Sequence, residues 1–200
     1  FTGSNPDVAC LICGAGYYQD EVGQPQCKAC NQGKYSPVEG SDSENSCIDC
    51  AVNDYQPTPG SGSCLTCSVG SQPEGVSGQW VDMGAVACDA CEAGQYGDTL
   101  PGGPGSPGGD MIFTCVACDA GQFQIAEEQT ECIPCVAGQY QPGEGASTCI
   151  ACAPGSQTEI SGTFTDSGAL ACEVCVPGRS AGVNAQGDPD ATLECALCAA

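Results

Sequence analysis

Apolar residues along this 200-residue chain show no helical periodicity. The segments between them are short, largely polar and broken by Gly, Pro and Ser, which predicts strands of roughly two to five residues joined by turns. No apolar run approaches the ~20 residues of a membrane span, and no charged-then-apolar leader is present. What recurs instead is cysteine.

All twenty cysteines fall into ten C-x-x-C pairs: Cys10/Cys13, Cys27/Cys30, Cys47/Cys50, Cys64/Cys67, Cys88/Cys91, Cys115/Cys118, Cys132/Cys135, Cys149/Cys152, Cys172/Cys175 and Cys195/Cys198. The steps between pairs are 17, 20, 17, 24, 27, 17, 17, 23 and 23 residues. Self-similarity of this kind outranks any reading of secondary structure. A longer period lies on top: "GSQPEGVSGQWVDMGAVACDAC" (70–91) matches "GSQTEISGTFTDSGALACEVC" (155–175), and Cys47 matches Cys132, each 85 residues on. The chain divides into the tail of a preceding repeat (1–26), superrepeat A of four modules (27–114), superrepeat B of four modules (115–194) and the start of a further module (195–200). It opens on Phe1 and stops one residue before the glycine its pattern calls for, so the expectation is a window cut from a longer array.

A glycine follows the second cysteine by three residues in nearly every module: Gly16, Gly33, Gly70, Gly94, Gly121, Gly138, Gly155 and Gly178. Asn53 is the exception, and Asn is the next most tolerant residue of a positive φ, so a tight left-handed turn is expected there. An aromatic commonly follows at Tyr17, Tyr18, Tyr35, Tyr55, Tyr96, Phe123 or Tyr140; Ser71, Ser156 and Ser180 replace it in longer modules. The expected role of the ring is to pack over the nearest bridge as a miniature core, with a carbohydrate-stacking platform as the sharper alternative. Trp80 and Phe164, aromatics in polar inserted segments at near-equivalent superrepeat positions, are candidate assembly contacts. "PGGPGSPGGD" (101–110) holds three collagen-like triplets, too few for a triple helix, and reads as a surface loop.

Composition then says what cannot hold such a chain together. It has 29 Gly and 14 Pro but only 6% aromatic residues, so the usual core is missing and something covalent must replace it. Lys28, Lys34 and Arg179 stand against 25 acids, for a net charge of −22. That balance argues against nucleic acid and anionic membranes as partners. The acids form a solvated, self-repelling surface. Those of "GDPDAT" (187–192) are the candidates for calcium, though no EF-hand loop surrounds them and a solvated turn is the default.

Paired C-x-x-C motifs are also the ligand pattern of zinc modules. Three points weigh against zinc. The chain has no His; five four-thiolate sites would each add about −2 to an already acidic chain; and the basic residues of nucleic-acid-binding zinc modules are absent. Bridging within each C-x-x-C, the redox-enzyme pattern, would leave every long loop open. Bridges between pairs explain more, since each closed loop of about 15 residues gains on the order of 3 kcal/mol from restricting the unfolded chain. Such density belongs to oxidising compartments, hence secretion. The preferred connectivity joins the second cysteine of each pair to the first of the next, from Cys13–Cys27 to Cys175–Cys195, leaving Cys10 and Cys198 over. The other joins first to third and second to fourth within closed modules. Both stay open at the level of sequence.

In "CKACNQGKYSPVEGSDSENSC" and "CIPCVAGQYQPGEGASTC" the pattern CxxCxxGxY…GxxxC resembles the cysteine-rich repeats of ephrin-receptor-type ectodomains. It is also similar to the tandem C-x-x-C arrays of protist surface proteins such as ciliate immobilisation antigens. The resemblance implies a small disulfide-rich, mostly β or irregular fold: an elongated, solenoid-like extracellular array of tandem modules without a large hydrophobic core, each touching mainly its neighbours. Fold alone gives no function. The sequence offers no His base, no nucleophile constellation and no phosphate-binding loop, so an enzyme is not expected. The leading expectation is a self-associating structural subunit of an extracellular filament, flagellar appendage or coat; the alternative is a ligand-binding or adhesion ectodomain or stalk. No Asn-x-Ser/Thr sequon occurs, "NSC" at Asn45 being only a marginal variant, while O-linked sugars on Ser, Thr or modified Pro fit the composition.

Overall fold

A computed structural model describes residues 11–101, 111–182, 190 and 194–197. Within them every regular element except one is a short antiparallel strand, because two to seven residues is all the chain allows between turns. Most strands come in pairs that close one loop each. They are β1 (Tyr17–Tyr18) with β2 (Lys28–Ala29), β3 (Lys34–Tyr35) with β4 (Ile48–Asp49), and β5 (Asp54–Tyr55) with β6 (Leu65–Thr66). The series continues with β7 (Ser71–Glu74) and β8 (Ala87–Ala90), then β9 (Gln95–Pro101) and β10 (Met111–Ala117). Next come β11 (Gln122–Phe123) with β12 (Ile133–Pro134) and β13 (Gln139–Tyr140) with β14 (Ile150–Ala151). The one three-stranded sheet orders β16 (Thr163–Phe164), β15 (Ser156–Ile160) and β17 (Ala171–Val174); β18 (Arg179–Ser180) pairs with β19 (Ala196–Leu197).

Two departures from the basic hairpin have local causes. The long modules carry an inserted hairpin: β15 turns into β16 through Ser161 and Gly162, both left-handed (φ 53 and 80), the geometry of a type I′ turn. In the other long module the matching turn runs from Gly75, whose N–H donates to the Gln79 carbonyl at 2.8 Å, and brings Glu74 opposite Trp80. Glu44–Ser46, three extra residues ahead of Cys47, form a 3₁₀ turn capped by the Ser43 hydroxyl, which accepts from the Asn45 N–H at 3.2 Å.

The chain forms two compact units, Phe1–Asp89 with Thr99–Thr114, and Ala90–Asp98 with Cys115–Ala200. Among the described residues neither holds an aliphatic core. The most buried side chains are half-cystines and small residues: Cys30, Cys50, Ser36 and Ala85 in the first unit, Cys91, Cys118, Cys135, Thr158 and Ala169 in the second. The fold is thus a small disulfide-rich β structure of tandem modules.

Candidate functional site: a ladder of staples and glycine turns

Nine disulfides join the second cysteine of one pair to the first of the next. They are Cys13–Cys27, Cys30–Cys47, Cys50–Cys64 and Cys67–Cys88 in the first unit, then Cys91–Cys115, Cys118–Cys132, Cys135–Cys149, Cys152–Cys172 and Cys175–Cys195 in the second. Their Cα–Cα distances of 5.2–5.8 Å are ordinary for a bridge, and each closes a loop of 14 to 24 residues. Of the two connectivities open to the sequence, the structure adopts the staggered one. Cys10 and Cys198 lie outside the described residues, as do 102–110 of the collagen-like stretch and all of 187–192 but Asp190. Among the described residues no three His, Cys, Asp or Glu side chains gather as a metal cluster.

The turn glycines hold the loops at close range. Gly16, Gly33, Gly70, Gly94, Gly121, Gly138, Gly155 and Gly178 all have φ between 77 and 98°. The carbonyl of each of Gly16, Gly33, Gly94, Gly121, Gly138 and Gly155 accepts the N–H of the half-cystine that follows its hairpin, as from Cys30 to Gly16 and Cys135 to Gly121 at 2.8 Å. The N–H groups of Gly16, Gly33, Gly94 and Gly121 reach into the next loop instead, to the carbonyls of Ser36, Gln56, Gln124 and Gln141 at 2.7–2.8 Å. A Cβ on Gly16 would lie 2.2 Å from the Gly60 carbonyl oxygen two loops on; on Gly33, 2.3 Å from that of Gly84. The second unit repeats this with Gly94 against Gly145 at 2.2 Å and Gly121 against Gly168 at 2.3 Å. Only glycine satisfies both the left-handed turn and the missing volume. Asn53 (φ 63) takes the turn and adds a side-chain role: its Oδ1 accepts from the Phe113 N–H at 2.8 Å.

The facing glycines form a second line that the sequence reading left unassigned. Gly40, Gly60, Gly84, Gly145 and Gly168 are left-handed (φ 67–80), and each donates its N–H to a half-cystine carbonyl one loop back, as from Gly60 to Cys30 and Gly168 to Cys135 at 2.8 Å. Glu128 holds the equivalent place at φ 60, its N–H on the Cys91 carbonyl at 3.0 Å. The signal was the G-x-x-x-C spacing, four residues before the next cysteine in every case but Gly40, where the 3₁₀ insertion makes it seven.

A third element also went unread. In short modules the residue three places after the turn glycine or Asn53 is Gln19, Ser36, Gln56, Gln124 or Gln141; Ser36, Gln56 and Gln124 are buried, and Gln19 and Gln141 half-buried. Gln124, 4% exposed, donates from Nε2 to the Glu131 carbonyl at 2.7 Å and accepts on Oε1 from the Ala126 N–H at 3.1 Å. Gln56 ties Ser63 and Thr58 in the same way, and Gln141 ties Thr148 and Gly143. One carboxamide thus satisfies two main-chain groups of its own loop, which water would otherwise have to reach. G-x-[YF]-Q was legible as a repeated tetrapeptide, but nothing in it said that the Gln faces in.

The rings behave less uniformly than expected. Tyr18 is buried in a cluster with Cys30 and Cys47. Tyr35, Tyr55, Phe123 and Tyr140 stand half-buried across from Ile48, Leu65, Ile133 and Ile150, exposed aliphatics that follow the first cysteine of a pair. Trp80 is 46% exposed on its hairpin; Phe164 is half-buried opposite Glu159. Lys28 Nζ lies 2.7 Å from both Asp20 and Glu21, and Lys34 Nζ 2.7 Å from Asp49, while Arg179 Nη1 donates to the Cys195 carbonyl at 3.0 Å. The hydrogen bond from Lys28 holds the Asp20 carboxyl below its usual range, and the two acids raise the lysine above its own.

Serial bridges, hairpins closed on left-handed glycines and main-chain bonds from loop to loop define a disulfide-stapled tandem repeat of extracellular type. The model of the family described as tyrosine-protein kinase ephrin type A/B receptor-like matches residues 2–47, 40–76 and 124–167, together more than half of the chain. The chain belongs to that family of cysteine-rich repeats. No individual curated protein matches it. Among the described residues no helix is long and apolar enough to cross a membrane.

Proposed function

We propose that the chain is part of the ectodomain of a cell-surface, receptor-like or adhesion protein, in which the stapled modules act as a stiff spacer and recognition surface. The observation that carries this reading is the family match, which recurs over successive modules in both units. The ladder supports it mechanically. Rigidity comes from covalent closures and main-chain bonds, so outward-facing side chains are free to vary with the ligand. A net charge of −22 favours a cationic ligand and opposes aggregation. The reading is non-enzymatic and needs no cofactor.

The filament subunit expected from the regular superrepeat keeps that regularity in its support. Negative stain and sedimentation of the oxidised protein distinguish the two. A monodisperse solute whose thiols resist alkylation until reduced is the expected result; fibres that assemble from it would overturn the receptor reading in favour of the filament.

A further inference from the structure

We propose that Asn45 is an N-glycosylation site that uses the Cys47 thiol as the third residue of its acceptor tripeptide, Asn45-Ser46-Cys47, before that thiol is consumed by the Cys30–Cys47 bridge. The proposal rests on the extracellular reading above, since only a chain entering the secretory lumen meets the transferase.

The three observations behind it are independent. First, the tripeptide sits where this module is three residues longer between its second glycine and its cysteine than the others, and the extra residues leave the ladder as the 3₁₀ turn Glu44–Ser46. The ladder contacts on either side, Gly40 N–H to the Cys13 carbonyl and Cys50 N–H to the Gly33 carbonyl, are made without it. Glu44 and Asn45 are exposed on that turn. Second, Asn45 is exposed and its carboxamide takes no part in the hydrogen bonding of the folded chain; only its main-chain N–H is used, by Ser43. The modified asparagine therefore folds as the unmodified one does. Third, Cys47 is buried and bridged in the folded protein. The hydroxyl at the third position of an acceptor tripeptide serves as a hydrogen-bonding group, and a thiol is a weak substitute for it, whereas a disulfide sulfur has lost its S–H donor altogether. Transfer and bridge formation therefore compete for one sulfur atom.

The step balances without an oxidant. Asn45 Nδ2 forms a bond to the anomeric carbon of a lipid-pyrophosphate-linked oligosaccharide. The carbon–oxygen bond to the pyrophosphate breaks with its electron pair leaving on the lipid pyrophosphate, and one Nδ2 proton passes to a base. Cys47 keeps its proton through the transfer and is oxidised afterwards with Cys30 by exchange with a lumenal disulfide, which takes up the two electrons.

The test is to secrete the full chain from eukaryotic cells as wild type, Asn45→Gln, Cys30→Ala and Cys47→Ser, and to score two things: thiol alkylation before and after reduction, and the glycan mass at residue 45 released by amidase, which leaves aspartate there. The expected result is partial occupancy in wild type, none in Asn45→Gln, and a several-fold rise in Cys30→Ala, whose Cys47 stays a thiol for longer. Cys47→Ser, now an ordinary sequon, should approach full occupancy. A secreted, fully oxidised wild type with residue 45 unmodified overturns the glycan site and leaves the extracellular reading standing; so does occupancy confined to Cys47→Ser. Retention in the cell with all thiols reactive to alkylation would instead overturn the extracellular reading itself.

Discussion

Gly121 and Gly155 have nearly the same backbone, φ 85 and 83°, yet a methyl group meets different surroundings at the two positions. At Gly155 nothing lies within 4 Å, so alanine there meets only the left-handed penalty of about 1–2 kcal/mol, partly offset by the lower entropy of the unfolded chain. At Gly121 the same atom would sit 2.3 Å from the Gly168 carbonyl oxygen and 2.9 Å from its carbon. Those are main-chain atoms that cannot swing aside. Relief requires the two loops to separate. That separation weakens the bonds from Gly121 N–H to Gln141 at 2.7 Å and from Gly168 N–H to Cys135 at 2.8 Å. Overpacking of about 1–3 kcal/mol and two main-chain bonds at about 1 kcal/mol each place Gly121→Ala roughly 3–5 kcal/mol below Gly155→Ala. Denaturant unfolding of the oxidised proteins gives the difference, and amide exchange at Gly121 and Gly168 locates it. Equal losses for the two variants would refute the idea that close approach of loops two apart, rather than turn conformation alone, requires the glycine line.

Removing one staple as Cys118→Ser with Cys132→Ser should cost about 3 kcal/mol in unfolding of the otherwise oxidised protein, because that bridge closes a 14-residue separation; a loss under about 1 kcal/mol would show that main-chain bonds alone hold the loop. Gln124→Ala should cost about 1 kcal/mol for each of the two part-buried bonds it removes, to the Glu131 carbonyl and from the Ala126 N–H, with faster exchange at Ala126 as its marker. For the Asp20–Lys28 pair the sign follows from both shifts. The lowered carboxyl contributes above its unfolded value and is lost as pH falls through its folded one; the raised lysine contributes below its unfolded value and is lost as pH rises through its folded one. The pair is intact across the neutral range, and an NMR titration should place the Asp20 midpoint below the usual range, with Lys28→Gln returning it; an Asp20 midpoint unmoved by that substitution would contradict the assignment.

The parts of the fold that spacing encodes were legible. Cysteine pairs every 17 to 27 residues, glycine three places after nearly every pair and no helical period are enough to expect short stapled hairpins, because each feature acts within one loop. Features that act between loops were not. Gly60 reads as an ordinary turn residue until it is found against Gly16 and under Tyr17, 44 positions back in the chain. Gln124 reads as one more polar side chain, since the rule that polar residues face water fails where no apolar core exists to exclude them. The choice between the two connectivities depended on the same missing information, which loops lie side by side. Trp80 and Phe164 stood out as aromatics in polar segments, but composition could not say that one would be exposed and the other half-buried opposite Glu159.

A chain built this way separates what holds it together from what it shows to the outside. The stabilising contacts use half-cystine, glycine and main-chain atoms, together with one inward carboxamide in each of several loops. Among the described residues most other side chains are at least partly exposed, including Ile48, Leu65, Ile133 and Ile150, which a conventional domain would bury. Substitution at those positions therefore leaves the ladder intact, whereas a methyl group at Gly33 or Gly121 does not. Chains built this way can keep their cysteine and glycine spacing while the surface changes. That is the property an ectodomain needs if one scaffold is to present different surfaces to different ligands.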